Sequence, residues 1–237
     1  MKIQSKNFKT ISIQIVVFAQ PNSHISQSRF LTPILSNYQN IFDGDITAVP
    51  VPADAPAEIP RAIITSKNGA WTIQGAPARI DCFWTSINNA EMEDSTLSKA
   101  LEVVMSIIES SKFSVGRCAF LLNRILDTST PAPDLANHFC NQPILQGPIK
   151  QSDNFELHNH KKYWLPLTNS RMHINSWVRC KTALSIASQK PAILVEQDLN
   201  TLQEEIEKRP LDSGVLKDFF LAADKEMKGI LDLYFPD

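Results

Sequence analysis

The order in which hydrophobic periodicity changes along this chain constrains its fold more than any single motif does. Ile11 to Ala19 (ISIQIVVFA) alternates and then turns wholly apolar, the pattern of a central strand. Thr32-Pro33 reads as a helix start, with Ile34, Leu35, Tyr38, Ile41 and Phe42 at helical spacing and Gly44 as its stop. Ile46 to Pro60 is proline-rich (Pro50, Pro52, Pro56, Pro60) and reads as an extended surface connection, because proline cannot donate to a sheet ladder. Strands follow over Arg61 to Ser66, Ala70 to Gln74 and Arg79 to Thr85, the first two joined through Asn68-Gly69. That dipeptide is a strong hairpin signal, since a type I′ turn needs positive φ at both central residues. Asp94 or Ser95 then caps a helix with Leu97, Leu101, Val104, Met105 and Ile108 along one face.

The same order returns. Val115 to Leu122 is an apolar strand, and Pro133 to Cys140 a short helix followed by a loop containing Pro143, Gly147 and Pro148. Phe155 to Leu165 and Arg171 to Leu184 form a hairpin around Pro166 to Asn169, and Ala192 to Gln197 is a third strand. Thr201 to Glu204 matches a capping box for a short helix. Ser213 opens the last helix, with Val215, Leu216, Phe219, Phe220, Met227, Ile230 and Leu231 on its apolar face. The expectation is an α+β protein of two strand–helix–three-strand–helix units, residues 1–113 and 114–237, free to share one domain. They form curved antiparallel sheet, with helices packed on one face. Trp71 and Trp84, and again Trp164 and Trp177, stand 13 residues apart, which suggests an internal repeat.

Composition narrows the function classes. A 43% hydrophobic and 20% charged chain of net charge −2 is neither disordered nor a strongly basic nucleic-acid binder. Seven glycines leave little room for phosphate loops, and GxGxxG, GxxxxGKS/T, GxSxG and HExxH are all absent. No cofactor is expected. Cys82, Cys118, Cys140 and Cys180 contain no CxxC pair, so no zinc or iron–sulfur site is expected either. No apolar run is long enough to span a membrane. Lys2, Lys6 and Lys9 precede Ile11 to Ala19, but Gln14 interrupts that run, so it reads as a strand rather than a signal peptide. A cytoplasmic protein with reduced cysteines is the expectation.

The whole-chain order, the segment Gln197-Asp198-Leu199-Asn200-Thr201 and the Phe219-Phe220 helix resemble a sporadically distributed bacterial family of two-repeat α+β proteins without an assigned activity. The resemblance implies a fold and no chemistry. The element order is also similar to helix-grip ligand binders and two-repeat saddle folds, an analogy that does not license function.

The candidate surface is the hairpin from Asn154 to Lys181. Alternation puts Glu156, His158, His160 and Lys162 on one face, and Arg171, His173, Asn175, Trp177 and Arg179 on one face of the partner strand. With a turn centred near Leu167 the two faces coincide, and His173 lies near His160 or Lys162. Residues 149–181 carry Lys150, Lys161, Lys162, Arg171, Arg179 and Lys181 against Asp153 and Glu156, a local excess of four positive charges. That excess repels a metal ion and attracts an acidic surface. The assigned binding residues are therefore His158, His160, Lys162, Arg171, His173, Trp177 and Arg179, with no metal. Asp198 at a strand end could serve as a base, whereas Asn200 or Thr201 reads as a helix cap. Asp81 and His138 read as satisfied edge or core groups. The tail from Glu196 to Asp237 carries eleven acids and five bases, the charge pattern of a solvated helix face or a docking surface.

Three functions fit. The first is a binding module whose ligand is a protein partner or a second copy. The second is a small-ligand binder with an apolar cavity lined by Phe83, Trp84, Phe120, Met172 and the last helix. The third is an enzyme using the histidine face.

Overall fold

In a computed structural model, which describes residues 3–52, 54–88, 90–146, 152–208 and 210–237, every strand belongs to one nine-stranded antiparallel, open and curved sheet. The strands are β1 (Lys9–Ala19), β2 (Ile46–Ala48), β3 (Ala62–Thr65), β4 (Trp71–Ala76), β5 (Arg79–Thr85), β6 (Val115–Asp127), β7 (Glu156–Pro166), β8 (Arg171–Leu184) and β9 (Pro191–Thr201). Helices α1 (Gln27–Asn37), α2 (Ser95–Ser111), α3 (Pro131–Phe139), α4 (Gln142–Leu145) and α5 (Ser213–Tyr234) connect and follow them. The spatial order is β2-β3-β4-β5-β1-β6-β9-β8-β7, so β1 and β6 sit side by side at the middle and each meander starts at an edge of the sheet and runs inward to them. Gly147, Pro148, Lys150 and Lys2 lie outside the described residues.

One face of the sheet carries the core. Ile13, Ile15 and Val17 of β1, Cys118, Phe120 and Leu122 of β6, and Ile80, Cys82 and Trp84 of β5 pack against Leu101, Val104 and Ile108 of α2 and Phe219 and Phe220 of α5. The period-2 strands and 3.6-residue helices thus bury the stripes that the pattern predicts. A second cluster joins Val178, Cys180, Ile193 and Val195 to Leu135 of α3 and to Leu231 and Phe235. Gly75 lets α1 lie directly on β4, because a Cβ there would fall 2.5 Å from the Phe30 ring.

The residues proposed to line a ligand cavity do not gather around one space. Trp84, Phe120 and Met172 are buried in the core, where Phe120 meets Phe220 edge-on at 6.2 Å, and Met172 also borders a depression of about 270 Å³ beside Trp164 and Leu211. Phe83 alternates to the opposite face of the sheet. The tryptophan pairs also part company: Trp71 and Trp84 face each other across β4 and β5 on the core side, whereas Trp164 and Trp177 stand on the open side, opposite His173 and His160.

Several boundaries shift for local reasons. The first helix begins at Gln27, capped by Ser26, whose hydroxyl accepts from the Arg29 N–H, and Pro33 lies inside it rather than at its start. Pro33 cannot donate to the turn before it, yet it is buried against the core and α1 continues only to Asn37. Within the proline-rich connection, Ile46–Ala48 forms a short exposed edge strand, the one sheet position proline-rich chain tolerates. Thr201 caps nothing. It is the last residue of β9, and its hydroxyl accepts from the Cys118 N–H at 3.0 Å. Asp212 caps α5 by accepting from the Val215 N–H at 2.8 Å. His138 is satisfied at the edge of the core, its Nε2 2.6 Å from the Tyr234 carbonyl oxygen.

All four cysteines are free, and burial pushes the Cys82 and Cys180 thiols up to about 12. Among the described residues, no helix is long and apolar enough to cross a membrane.

Candidate functional site

Among the described residues, α1, α2, α3 and α5 contribute to the buried clusters on one face, and the β7–β8 hairpin forms one end of the opposite face. The pairing places His158 opposite Arg179, His160 opposite Trp177, Lys162 opposite Asn175, Trp164 opposite His173 and Pro166 opposite Arg171. The Leu167 N–H donates to the Ser170 carbonyl at 2.8 Å, so the turn is centred further along the chain than Leu167. That shift corrects the expected neighbourhood: His173 meets Trp164, not His160 or Lys162.

The result is a ladder of stacked rings. His160 lies flat on Trp177 with centroids 3.9 Å apart, and His158 leans on the same indole at 4.8 Å. His160 Nε2 also touches Asn175 Oδ1. Further along, His173 stacks on Trp164 at 4.7 Å, and the Arg171 guanidinium sits 4.8 Å from the Trp164 centroid. His158, His160, Lys162 and Arg171 are exposed, while His173, Trp177 and Arg179 are half-buried. Trp164, which sequence reasoning left out of the site, is 50% exposed. Its even-numbered place on β7 was the available signal. Among the described residues no three His, Cys, Asp or Glu side chains converge on a point where a metal could sit.

The electrostatic picture differs from the sequence expectation. Arg179 bridges Glu156 (2.8 Å) and Glu196 (3.4 Å), Lys181 pairs with Glu196 (2.8 Å), and Lys162 pairs with Glu204 (3.0 Å). Lys161 turns to the other face, over the Tyr163 ring. Glu156 belongs to β7 itself, whereas Glu196 comes from β9 and Glu204 from the segment after it, so part of the acidic tail lies on the basic hairpin and holds Arg179, Lys181 and Lys162. Lys150, counted in the excess, lies outside the described residues.

Toward the sheet centre, the same face holds a polar cluster that sequence reasoning did not assemble. Phe18 lies between two guanidiniums, Arg79 at 5.0 Å and Arg117 at 4.6 Å. Arg79 grips the buried Asp81 with two bonds of 2.7 Å, and Gln14 donates to the same carboxylate. Asp81 is therefore satisfied, as its sequence context implied. Arg117 donates to the Thr201 carbonyl, Gln203 and Asn200, and Asn200 donates to Asp198. Burial lowers the Arg117 pKa. A depression of about 280 Å³ lies between Arg117, Trp177, Asn200 and Glu204. A larger cleft of about 600 Å³, lined by Tyr38, Asp43, Lys67 and Trp71, lies away from this face, beside the β3–β4 hairpin.

Asp198 gives the cluster a pH signature. Burial raises its carboxyl above the ordinary range, against smaller opposing effects from Asn200 and Arg117. The folded state then binds this proton more tightly than the unfolded chain does. The associated stabilisation is present below the unfolded pKa and is lost as pH rises through the folded one. Asp198→Asn is therefore expected to gain stability over the parent chain at neutral pH and to lose that advantage as pH falls through the carboxylate range. Urea unfolding at both pH values checks this, and an advantage that grows on acidification would refute it.

Comparison with protein-family models and with curated proteins returns no match for this chain.

Proposed function

We propose that this chain is a binding module that recognises a protein through the open face of β7 and β8. One observation carries the reading: Trp164, stacked by His173 and flanked by Arg171, and Trp177, stacked by His160 and His158, stand on the sheet face opposite the buried helix clusters of the described residues. Tryptophan and arginine are the residues most enriched among interface hot spots, and rigid stacked rings lose little entropy on binding. Because most of the hairpin's cations already hold carboxylates, recognition rests on these rings more than on steering by charge, and nucleic acid is a poor fit. Free thiols, three of them buried, support a reducing compartment such as the cytoplasm. The mirrored strand order supports the two-unit reading and the resemblance to two-repeat bacterial proteins.

A photo-crosslinker at position 164 tests the proposal against the same group at Leu233, which is exposed on α5. Partner adducts are expected from position 164 and not from 233. Trp164→Ala and Trp177→Ala should each weaken the recovered complex about 30-fold, the effect of losing roughly 2 kcal/mol. Replacing Lys162, Arg171 and Arg179 together with Ser should matter less. Adducts from Leu233 alone would place the interface on the helix layer.

A further inference from the structure

The two ends of the sheet are protected very differently. At one end β2 has only three residues, followed by prolines, a form that blunts an edge. At the other end β7 is eleven residues long and pairs only with β8. His158 to Lys162 are exposed without interruption, so side chains on both faces of this stretch stand in solvent. Among the described residues, no backbone group from another element bonds the outer edge of β7.

Hydrogen bonds at the ends of the hairpin show which backbone groups that edge offers. The Phe155 carbonyl accepts from the Thr182 N–H, and the Leu167 N–H donates to the Ser170 carbonyl. Both pairs continue the β7–β8 register, in which Leu157 faces Cys180 and Leu165 faces Met172. In an antiparallel ladder, residues bonded to the partner alternate with residues whose N–H and C=O point away. Odd-numbered residues of β7 thus bond β8, and Glu156, His158, His160, Lys162 and Trp164 present their backbone groups outward.

We propose that this edge takes a second copy of the chain, the two β7 strands pairing antiparallel about a twofold axis at Asn159. Charge selects the register, with Glu156 and Lys162 exchanging their exposed intrachain partners, Arg179 and Glu204, for each other across the axis. An antiparallel pair on a twofold axis perpendicular to the sheet must place one residue opposite itself. Centring on Lys161 sets two ammonium groups face to face. Centring on His160 forms no ion pair. Centring on Asn159 sets Glu156 of each copy opposite Lys162 of the other, twice, and Phe155 opposite Tyr163. Its outward-pointing residues fall into hydrogen-bonded pairs, Glu156 with Lys162 and His158 with His160 across the axis. The product is one sheet running through both copies, with both open faces on the same side. This inference does not rest on the proposed protein partner, because it uses the edge of β7 rather than its face.

Asn159 falls at a non-hydrogen-bonded pair, where opposing Cα atoms approach to about 4.5 Å, within disulfide range. The experiment oxidises Asn159→Cys in a Cys140→Ser background and follows the molecular mass of the parent chain by light scattering over a concentration series. A covalent dimer is expected for Asn159→Cys and not for His158→Cys, whose opposite residue is His160. E156K should weaken the dimer about tenfold, because it turns both cross-strand ion pairs into like-charge pairs. E156K/K162E should restore it. Circular dichroism confirms that each variant folds, and the cysteine arm stands even if E156K does not. A monomeric mass at every concentration, equal linkage at 158 and 159, or no recovery in the double charge swap would each overturn the proposal.

Discussion

Replacing Phe220 with alanine is expected to cost about 3–5 kcal/mol of unfolding free energy, the range for removing a fully buried phenyl ring. The ring has no exposed surface and sits where α5 crosses the middle of the sheet, edge-on to Phe120 and 5.2 Å from Phe219. Its removal leaves a void bounded by β6 below and by its own helix above, and neither can close on it without breaking other contacts. For a chain of this length each kcal/mol moves the melting temperature by about 2–4 °C, so a drop of roughly 6–20 °C should appear in a thermal melt. Ile108→Ala on α2, also buried, should cost about 2–5 kcal/mol. Losses under about 1 kcal/mol at both positions would mean that the helix faces are wrongly assigned.

The second large effect should come from Gly116, and it links the fold to the open face. A Cβ at this position would lie 2.4 Å from the Ile206 carbonyl oxygen and 2.8 Å from the Ile206 side chain. The obstacle is backbone, so a rotamer change cannot relieve it. Gly116→Val must push away the segment between β9 and α5. That segment supplies Gln203 to Arg117 and Glu204 to Lys162. Overpacking of this kind costs about 1–3 kcal/mol. The expected result is a two-part phenotype: lower stability in urea, and release of Lys162 and Arg117 from their partners. Salt dependence of partner binding should steepen, because charges formerly neutralised within the chain become available. A Gly116→Val variant as stable as the parent would show that the segment relocates freely.

How much of this was legible in the residues depends on the range of the interaction involved. The α2 stripe and the strand Arg79–Thr85 are local patterns, and each stands where the sequence places it; Asn68-Gly69 does join β3 to β4, but only Gly69 has a positive φ (75°), so the turn is not type I′. Thr32-Pro33 is a good local start signal, but the helix starts earlier, at Gln27, where the Ser26 hydroxyl accepts from the Arg29 N–H. Thr201 and Glu204 satisfy the spacing of a capping box. A distant partner, the Cys118 N–H, claims the hydroxyl instead. At the candidate site, alternation correctly gathers His158, His160 and Lys162 on one face, and Arg171, His173, Trp177 and Arg179 on its partner. Their pairing could not be read, since it hangs on whether the turn centres on Leu167 or beyond it. The neutralising acids Glu196 and Glu204 arrive through strand pairing and chain return, which no local period encodes.

The mirrored strand order also sets a schedule for folding. β1 is made first, yet its neighbours come late: Gln14 bonds Asp81, 67 residues on, and Ser12 bonds Asn123, 111 residues on. The hairpins at either end of the sheet close short loops and form early at little entropic cost, whereas the β1–β6 junction closes a loop of over a hundred residues. In a full-length chain refolding from the unfolded state, the middle of the sheet is thus expected to join after the hairpins. Until then that chain holds out the bare edges of β1 and β6, so the dangerous species for aggregation is the half-joined sheet rather than the finished one with β7 at its rim.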